Sequence, residues 1–269
     1  MPVGLDAKRV LLTGGSSGIG AALAEAFASR GAVVGICARR EDRLRQVLAR
    51  CTPHSPQSRM WVADLTDFDA VDRLARDAVR ELGGVDILVN NAGIPKRRHV
   101  TRLDPETVEQ VMRVNYLAPV RLTLALLPHM LERGNGRIVN ISSVAATPSS
   151  PGEAAYDASK AALAVFSEAM AVDLWRTGVK VTVVYPSVVD TELFTLPDND
   201  PFTADVDAVP VSEVVSAVLD ALDADTISVY VPSWFADLAS GKAANTDAFL
   251  VGAADYVQQR EAGGKAPGA

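Results

Sequence analysis

Apolar and polar positions along this 269-residue chain change period repeatedly, from short solid apolar runs to helical spacing and back. Residues 10–12 form one such run, and AALAEAFASRG at 21–31 follows with apolar positions three and four apart. Residues 32–38, AVVGICA, suit a strand buried on both faces. The pattern then predicts a helix over 41–50, a strand over 60–63, and a helix over 68–82 stopped by Gly83 and Gly84. Residues 85–89 read as a strand that runs into NNAG. A long helical pattern covers 105–131, where Pro119 and Pro128 are expected to kink or divide it. Strands are predicted at 137–141, 179–184 and 227–231, and helices at 155–176 and 211–222.

Seven strands alternating with helices through short connections predict an α/β fold, a mostly parallel sheet covered on both faces. Right-handed crossovers make such a sheet doubly wound, with ligands at the carboxyl ends of its strands. No repeat or linker interrupts the alternation, so one domain is expected over residues 1–260, with 261–269, EAGGKAPGA, as a disordered tail.

Composition changes this picture little. The chain is 48% hydrophobic and 22% charged, enough apolar content for a substantial core. Its formal charge is −7, and its longest basic clusters are Arg39–Arg40 and Lys96–Arg97–Arg98, too short to track a phosphate backbone. Nucleic acid is therefore not expected as a partner. Cys37 and Cys51 are the only cysteines, and neither has metal-ligand spacing, so no metal is expected and Cys37 reads as a small buried hydrophobe. The N-terminal residues lack an apolar signal core, and no stretch approaches the ~20 apolar residues of a membrane span. A cytoplasmic protein with no transmembrane segment is the expectation.

The chemistry gathers where strands end. TGGSSGIG at 13–20 lies between a strand and a helix, so backbone N–H groups at the helix start face any bound anion. Gly14, Gly18 and Gly20 allow a tight turn and a close approach to pyrophosphate. Their G-x-x-x-G-x-G spacing differs from the general dinucleotide fingerprint, and glycine turns also serve as plain connections. Asp64 ends the third strand, where an acid can accept from an adenine amino group; the alternative is a helix N-cap, a role open also to Thr66 or Asp67. In Asn90–Gly93 the amides can tie backbone segments together, while Ala92 and Gly93 leave room for a flat ring.

Ser143 ends the fifth strand, and Tyr156 and Lys160 are four apart on one helix face. A tyrosine with its ordinary pKa of about 10 transfers protons poorly near neutrality, and an adjacent ammonium lowers that value. Ser143 can donate to a substrate oxygen as charge develops there. Alone, the Tyr156–Lys160 pair would read as an amphipathic face with a snorkelling lysine; beside the glycine turn, Asp64 and NNAG it reads as catalytic.

Taken together, TGGSSGIG at 13–20, DLT at 64–66, NNAG at 90–93, Asn115 in VNYLAP, GRIVNISS at 136–143, YDASK at 156–160 and YPSVVDT at 185–191 resemble the short-chain dehydrogenase/reductase family. The resemblance covers roughly residues 8–195. It implies a single Rossmann-type domain, commonly a homodimer or homotetramer, that moves hydride between NAD(P) and a carbonyl or alcohol substrate. Carried over by position, Tyr156 is the general acid in reduction and general base in oxidation. Lys160 holds the nicotinamide ribose and tunes Tyr156, Ser143 orients the substrate oxygen, and Asn115 connects Lys160 to solvent through water. The resemblance also implies that Gly14, Ser16, Ser17, Gly18, Ile19, Gly20, Asp64, Leu65, Asn91, Ala92, Gly93, Pro186, Val189 and Thr191 surround the cofactor. One departure is Ser187, which follows Pro186 where the family usually has glycine.

An acid about 20 residues beyond the glycine turn would mark NAD. The second strand instead ends in Ala38, Arg39 and Arg40, and arginine there can bind the 2′-phosphate of NADP(H) with paired, charge-assisted hydrogen bonds. The reading is an NADP(H)-dependent oxidoreductase, with an NAD-linked alcohol dehydrogenase or a non-catalytic nucleotide sensor as rivals. Segments 144–155 and 192–210 should border the substrate pocket, the second as a mobile lid or as plain disorder. Phe194 and Phe202 hint at apolar walls. Residues 161–175 carry more apolar side chains than one helix face needs, which points to subunit packing or to deeper burial. Residues 230–235, with Phe249 and Tyr256, leave open whether these aromatics cover the pocket, a partner or a membrane surface.

Overall fold

A computed structural model describes residues 4–201 and 206–261. Seven strands form one parallel sheet: β1 (Arg9–Thr13), β2 (Val33–Ala38), β3 (Arg59–Val62), β4 (Ile87–Asn90), β5 (Gly136–Ile141), β6 (Val179–Pro186) and β7 (Ser228–Val231). Their order is β3-β2-β1-β4-β5-β6-β7, so the winding reverses between β1 and β4. Leu12 stands level with Ile36 on one side and Val89 on the other, which brings the ends of β1, β2 and β4 together.

Side chains alternate across each strand, and the two faces bury separate clusters. Val10, Leu12, Val89 and Val139 pack toward α1 (Gly18–Ser29), α2 (Glu41–Cys51) and α7 (Val211–Ala224), through Leu23, Phe27, Leu44, Val214 and Val218. Leu11, Leu88, Ile138 and Val181 pack toward α3 (Phe68–Leu82), α5 (Ala118–Glu132) and α6 (Ala154–Asp173), through Leu74, Leu122, Leu126, Met130 and Met170. Both faces of the sheet are thus closed, as solid apolar strands require. Cys37 lies wholly inside, with burial raising its thiol pKa to about 12.

The pattern over 105–131 divides just before Pro119. Helix α4 (Pro105–Met112) passes through one π-helical turn at Arg113–Leu117 and continues as α5. Pro119 is the second residue of α5, directly after the π-helical turn. Pro128 lies inside α5 without ending it.

Past β7 the chain forms two helices that periodicity alone did not reveal, α8 (Phe235–Ala244) and α9 (Thr246–Glu261). Their apolar residues do not line up on one clear stripe, so the helical signal is weak. Phe202 and residues 262–269 lie outside the described residues. Among the described residues, no helix is long and apolar enough to cross a membrane.

Candidate active site

A cavity of about 1220 Å³ opens across the carboxyl ends of the strands. At its floor the glycine turn and NNAG are locked together. Gly14 has φ +71°, and a Cβ on it would lie 2.8 Å from the Ala92 Cα. A Cβ on Gly20 would lie 2.3 Å from the Gly14 carbonyl oxygen. Asn91 donates from Nδ2 to the carbonyls of Thr13 and Gly14, at 3.0 and 3.3 Å. In return the Thr13 hydroxyl oxygen accepts from the N–H groups of Asn91 and Ala92, at 3.1 and 3.2 Å. Gly14, Ser16, Ser17, Gly18, Ile19, Asn91, Ala92 and Gly93 line the cavity, while Gly20 packs behind the turn. Only a turn without side chains at these points leaves a trough beside the start of α1, and an elongated phosphate-bearing cofactor fits such a trough. Sequence pattern does not single out Thr13, whose signal is simply a hydroxyl at the end of the first strand.

The next wall is built by Asn115. Its Oδ1 accepts from the Ile94 N–H at 2.8 Å, and its Nδ2 donates to the Ile94 carbonyl at 3.0 Å and to the Ser159 hydroxyl at 3.0 Å. The π-helical turn presents this fully buried amide to the segment after NNAG, one turn behind the cavity lining. Asn90, which begins that motif, donates to Asn140 of β5 at 2.8 Å and to Thr123 at 3.1 Å.

Ser143, Tyr156 and Lys160 all line the same cavity. Ser143 lies two residues past the end of β5, and its hydroxyl accepts from the Ala145 N–H at 3.1 Å and lies close enough to Tyr156 to favour the phenolate. Ser142, one residue earlier, instead donates to the carbonyl of Lys160 at 2.9 Å. Lys160 Nζ donates to the Ile141 carbonyl at 2.9 Å and lies 5.8 Å from the centre of the Tyr156 ring. Burial lowers its pKa to about 8.

The expectation that Lys160 brings the tyrosine below its ordinary pKa is not met in this state. Burial pushes Tyr156 up, the negative charges of Glu153 and Asp157 push the same way, and the Ser143 bond and Arg97 only partly offset them. Burial, more than any neighbouring charge, thus favours the protonated phenol. Asp157 is itself raised to about 8 by burial, although the Ser150 N–H and Lys242 counteract this. Lys242 of α8 donates to the Thr147 carbonyl at 2.5 Å and to the Ser149 hydroxyl at 2.7 Å, tying the C-terminal region to the loop before α6.

Arg39, Arg40, Asp64 and Leu65 form the far end of the cavity. Asp64 accepts from both the N–H and the hydroxyl of Thr66, each at 2.9 Å, while Asp67 caps α3. Capping is therefore done elsewhere, and Asp64 stays in the cavity wall. Arg39 is exposed and makes no ion pair among the described residues. Arg40 turns inward onto Ser16, Ser17 and Glu192. Glu192 and Arg43 were not foreseen, since partners some 150 residues apart leave no local pattern.

Pro186 at the end of β6 and Val189 and Thr191 beyond it also face the cavity, and Thr191 packs against Gly18. Ser187 sits outside the left-handed region, so the missing glycine costs no backbone strain. Its N–H donates to the Val231 carbonyl at 2.8 Å, and its buried hydroxyl has no partner among the described residues. Farther out, the basic stretch after NNAG grips the following loop: Lys96 and Arg98 pair with Asp198, and Arg102 pairs with Asp200. Buried Arg97 donates to the carbonyls of Phe194 and Asp200 at 2.9 and 3.0 Å. Phe235, Leu238, Phe249, Tyr256 and Val257 complete an apolar outer wall, so three of the aromatics at the C-terminal end face the cavity, whereas Trp234 is exposed outside it and Tyr230 stacks on Tyr185.

A glycine-turned, seven-stranded parallel sheet with this set of residues at its switch point defines a nicotinamide-type oxidoreductase fold. The chain belongs to the short-chain dehydrogenase family, whose model matches residues 8–200. It is 42% identical over 195 residues to a fatty acyl-CoA reductase of Mycobacterium tuberculosis, covering 71% of this chain and 66% of that protein. Among solved structures it resembles a short-chain dehydrogenase from Streptomyces avermitilis, with a TM-score of 0.80, 29% identity, and coverage of 96% and 97% of the two chains. A short-chain dehydrogenase from Sphingobium yanoikuyae, solved in complex with NADPH, gives a TM-score of 0.77 at 32% identity, covering 90% of this chain and 95% of that one.

Proposed function

We propose that this protein is an NADP(H)-dependent reductase of aldehydes or ketones that carry a substantial apolar group. The observation that carries the reading is the meeting of Ser143, Tyr156 and Lys160 with the glycine turn in one cavity. Ser16, Ser17, Gly18 and Ile19 would hold the cofactor's phosphates, Asp64 and Leu65 its adenine, and Val189 and Thr191 its carboxamide. When bound, the nicotinamide supplies hydride to the carbonyl carbon. Ser143 holds the carbonyl oxygen, and the Tyr156 hydroxyl delivers a proton to it as negative charge develops. A phenol kept protonated by burial suits that role of acid. Lys160 keeps a positive charge beside the proton donor at neutral pH, which favours the phenolate left behind.

The apolar outer wall supports a substrate with a long or bulky hydrocarbon part, as does the name of the mycobacterial relative. Two buried free thiols fit a reducing compartment and support a cytoplasmic location. Exposed Val165, Val172 and Trp175 support a homodimer or homotetramer. We read residues 1–260 as one domain.

The test is NADPH oxidation with aliphatic and aromatic aldehydes of increasing length, in wild type and Tyr156→Phe. The variant should lose roughly 10²–10⁴-fold in kcat while its affinity for NADPH stays within twofold. Wild-type turnover by the variant would refute the proton-donor role.

A further inference from the structure

At the rim of the cofactor trough a carboxylate of the chain itself occupies a ring of anion-binding groups. Glu192 is the first residue of the short 3-10 helix Glu192–Thr195 that follows β6. Its Oε1 accepts from the Ser17 hydroxyl at 2.7 Å and from Arg40 Nη2 at 2.5 Å. Its Oε2 accepts from Arg43 Nη1 at 3.0 Å. Arg40 Nη2 also reaches the hydroxyl oxygens of Ser16 and Ser17, at 3.1 and 2.7 Å.

Two guanidinium groups and a serine hydroxyl, beside the first turn of α1, are what a phosphate monoester needs. A neutral or merely surface-exposed carboxyl needs none of them. Their combined effect holds the Glu192 carboxyl down to about 2, so it is an anion at every physiological pH.

We propose that Glu192 is a cofactor-discriminating residue that occupies the seat of the 2′-phosphate of NADP(H) and leaves it when that phosphate binds. Two anions cannot share one ring of donors without strong mutual repulsion. A cofactor without the 2′-phosphate does not contest the seat, so Glu192 stays. The displaced residue is not isolated. Thr191 before it packs on Gly18 of the turn, and the Phe194 carbonyl after it is held by buried Arg97. Displacement therefore pulls on the segment that forms one wall of the substrate pocket, and the presence of the phosphate is registered there. This inference rests on the NADP(H) reading above.

Glu192→Gln keeps the shape and removes the charge. NADPH and NADH would be titrated into wild type and variant by nicotinamide fluorescence, with melting temperature as a check of folding. The variant should bind NADPH about tenfold more tightly, the scale of one well-placed charge contact, with NADH unchanged within twofold. Hydrogen exchange of wild-type residues 192–200 should rise with NADPH and not with NADH. Weaker or unchanged NADPH binding by the variant, or equal exchange with both cofactors, would overturn the displacement even if wild type prefers NADPH. A wild type without preference for NADPH would overturn the cofactor reading and this inference together.

Discussion

Asn115 holds the Ile94 peptide from both sides, accepting from its N–H at 2.8 Å and donating to its carbonyl at 3.0 Å. One buried amide thus fixes where the chain turns after NNAG, and its third bond, to Ser159, ties that turn to the helix carrying Tyr156 and Lys160. Alanine at this position would leave two backbone groups without partners. Asn115→Ala should be destabilised by about 1–3 kcal/mol in urea unfolding and should lower kcat more than it raises KM. An unchanged unfolding midpoint would show that the Ile94 groups find other partners.

Arg39 is exposed at the end of β2 and makes no ion pair among the described residues, so it is available to a cofactor phosphate. Arg39→Ala should weaken NADPH binding by roughly 10- to 100-fold, the range of a hydrogen bond to a charged group. NADH binding should not change. Equal losses for both cofactors would place Arg39 outside the 2′-phosphate site.

Asp157 gives stability a pH dependence of unusual sign. Its pKa is raised from 3.8 to about 8 by burial, reinforced by Glu153 and opposed by the Ser150 N–H and Lys242. Between those values the folded chain keeps a proton that the unfolded chain has released, so this residue's contribution to stability falls as pH rises through the window. Asp157→Asn should match wild type near pH 4 and melt at least about 3 °C higher at pH 8. Thermal scans that run parallel across this range would contradict the assignment.

On α6, Val165 and Val172 are 64% and 74% exposed, and seven residues bring them onto one helix face. In the proposed homo-oligomer these side chains would be covered by a second copy of the chain. Val165→Asp with Val172→Asp should reduce the mass measured by light scattering at micromolar concentration to that of a smaller assembly, with melting little affected. A mass unchanged from wild type would assign the contact to another face.

What was legible in the chain was what is local. Solid apolar runs revealed the strands because parallel strands are buried on both sides, and TGGSSGIG carried its geometry in the glycines themselves. Tyr156 and Lys160 were readable because a helix repeat puts them on one face. The π-helical turn at Asn115 was not, since one extra residue in a turn shifts no apolar period enough to be seen. Glu192 on Arg40, Lys242 on Thr147 and Arg97 on Phe194 were hidden for a different reason: each joins segments about 100 residues apart or more, and only the wound sheet makes them neighbours. The tuning of Tyr156 was misread because residue spacing shows who stands beside a group and not how dry its surroundings are.

The charge pairs that join residues 96–102 to Asp198 and Asp200 open to water on one side only, with Asp198 71% exposed and its partner Lys96 12%. Such pairs weaken as the Debye length shrinks from about 10 Å at 0.1 M salt to 3 Å at 1 M. The bonds between Asn91 and Thr13 under the cofactor trough are shorter-ranged and do not depend on ions. The mouth of this protein is therefore a seam whose tightness belongs to the electrolyte, while its floor is indifferent to it.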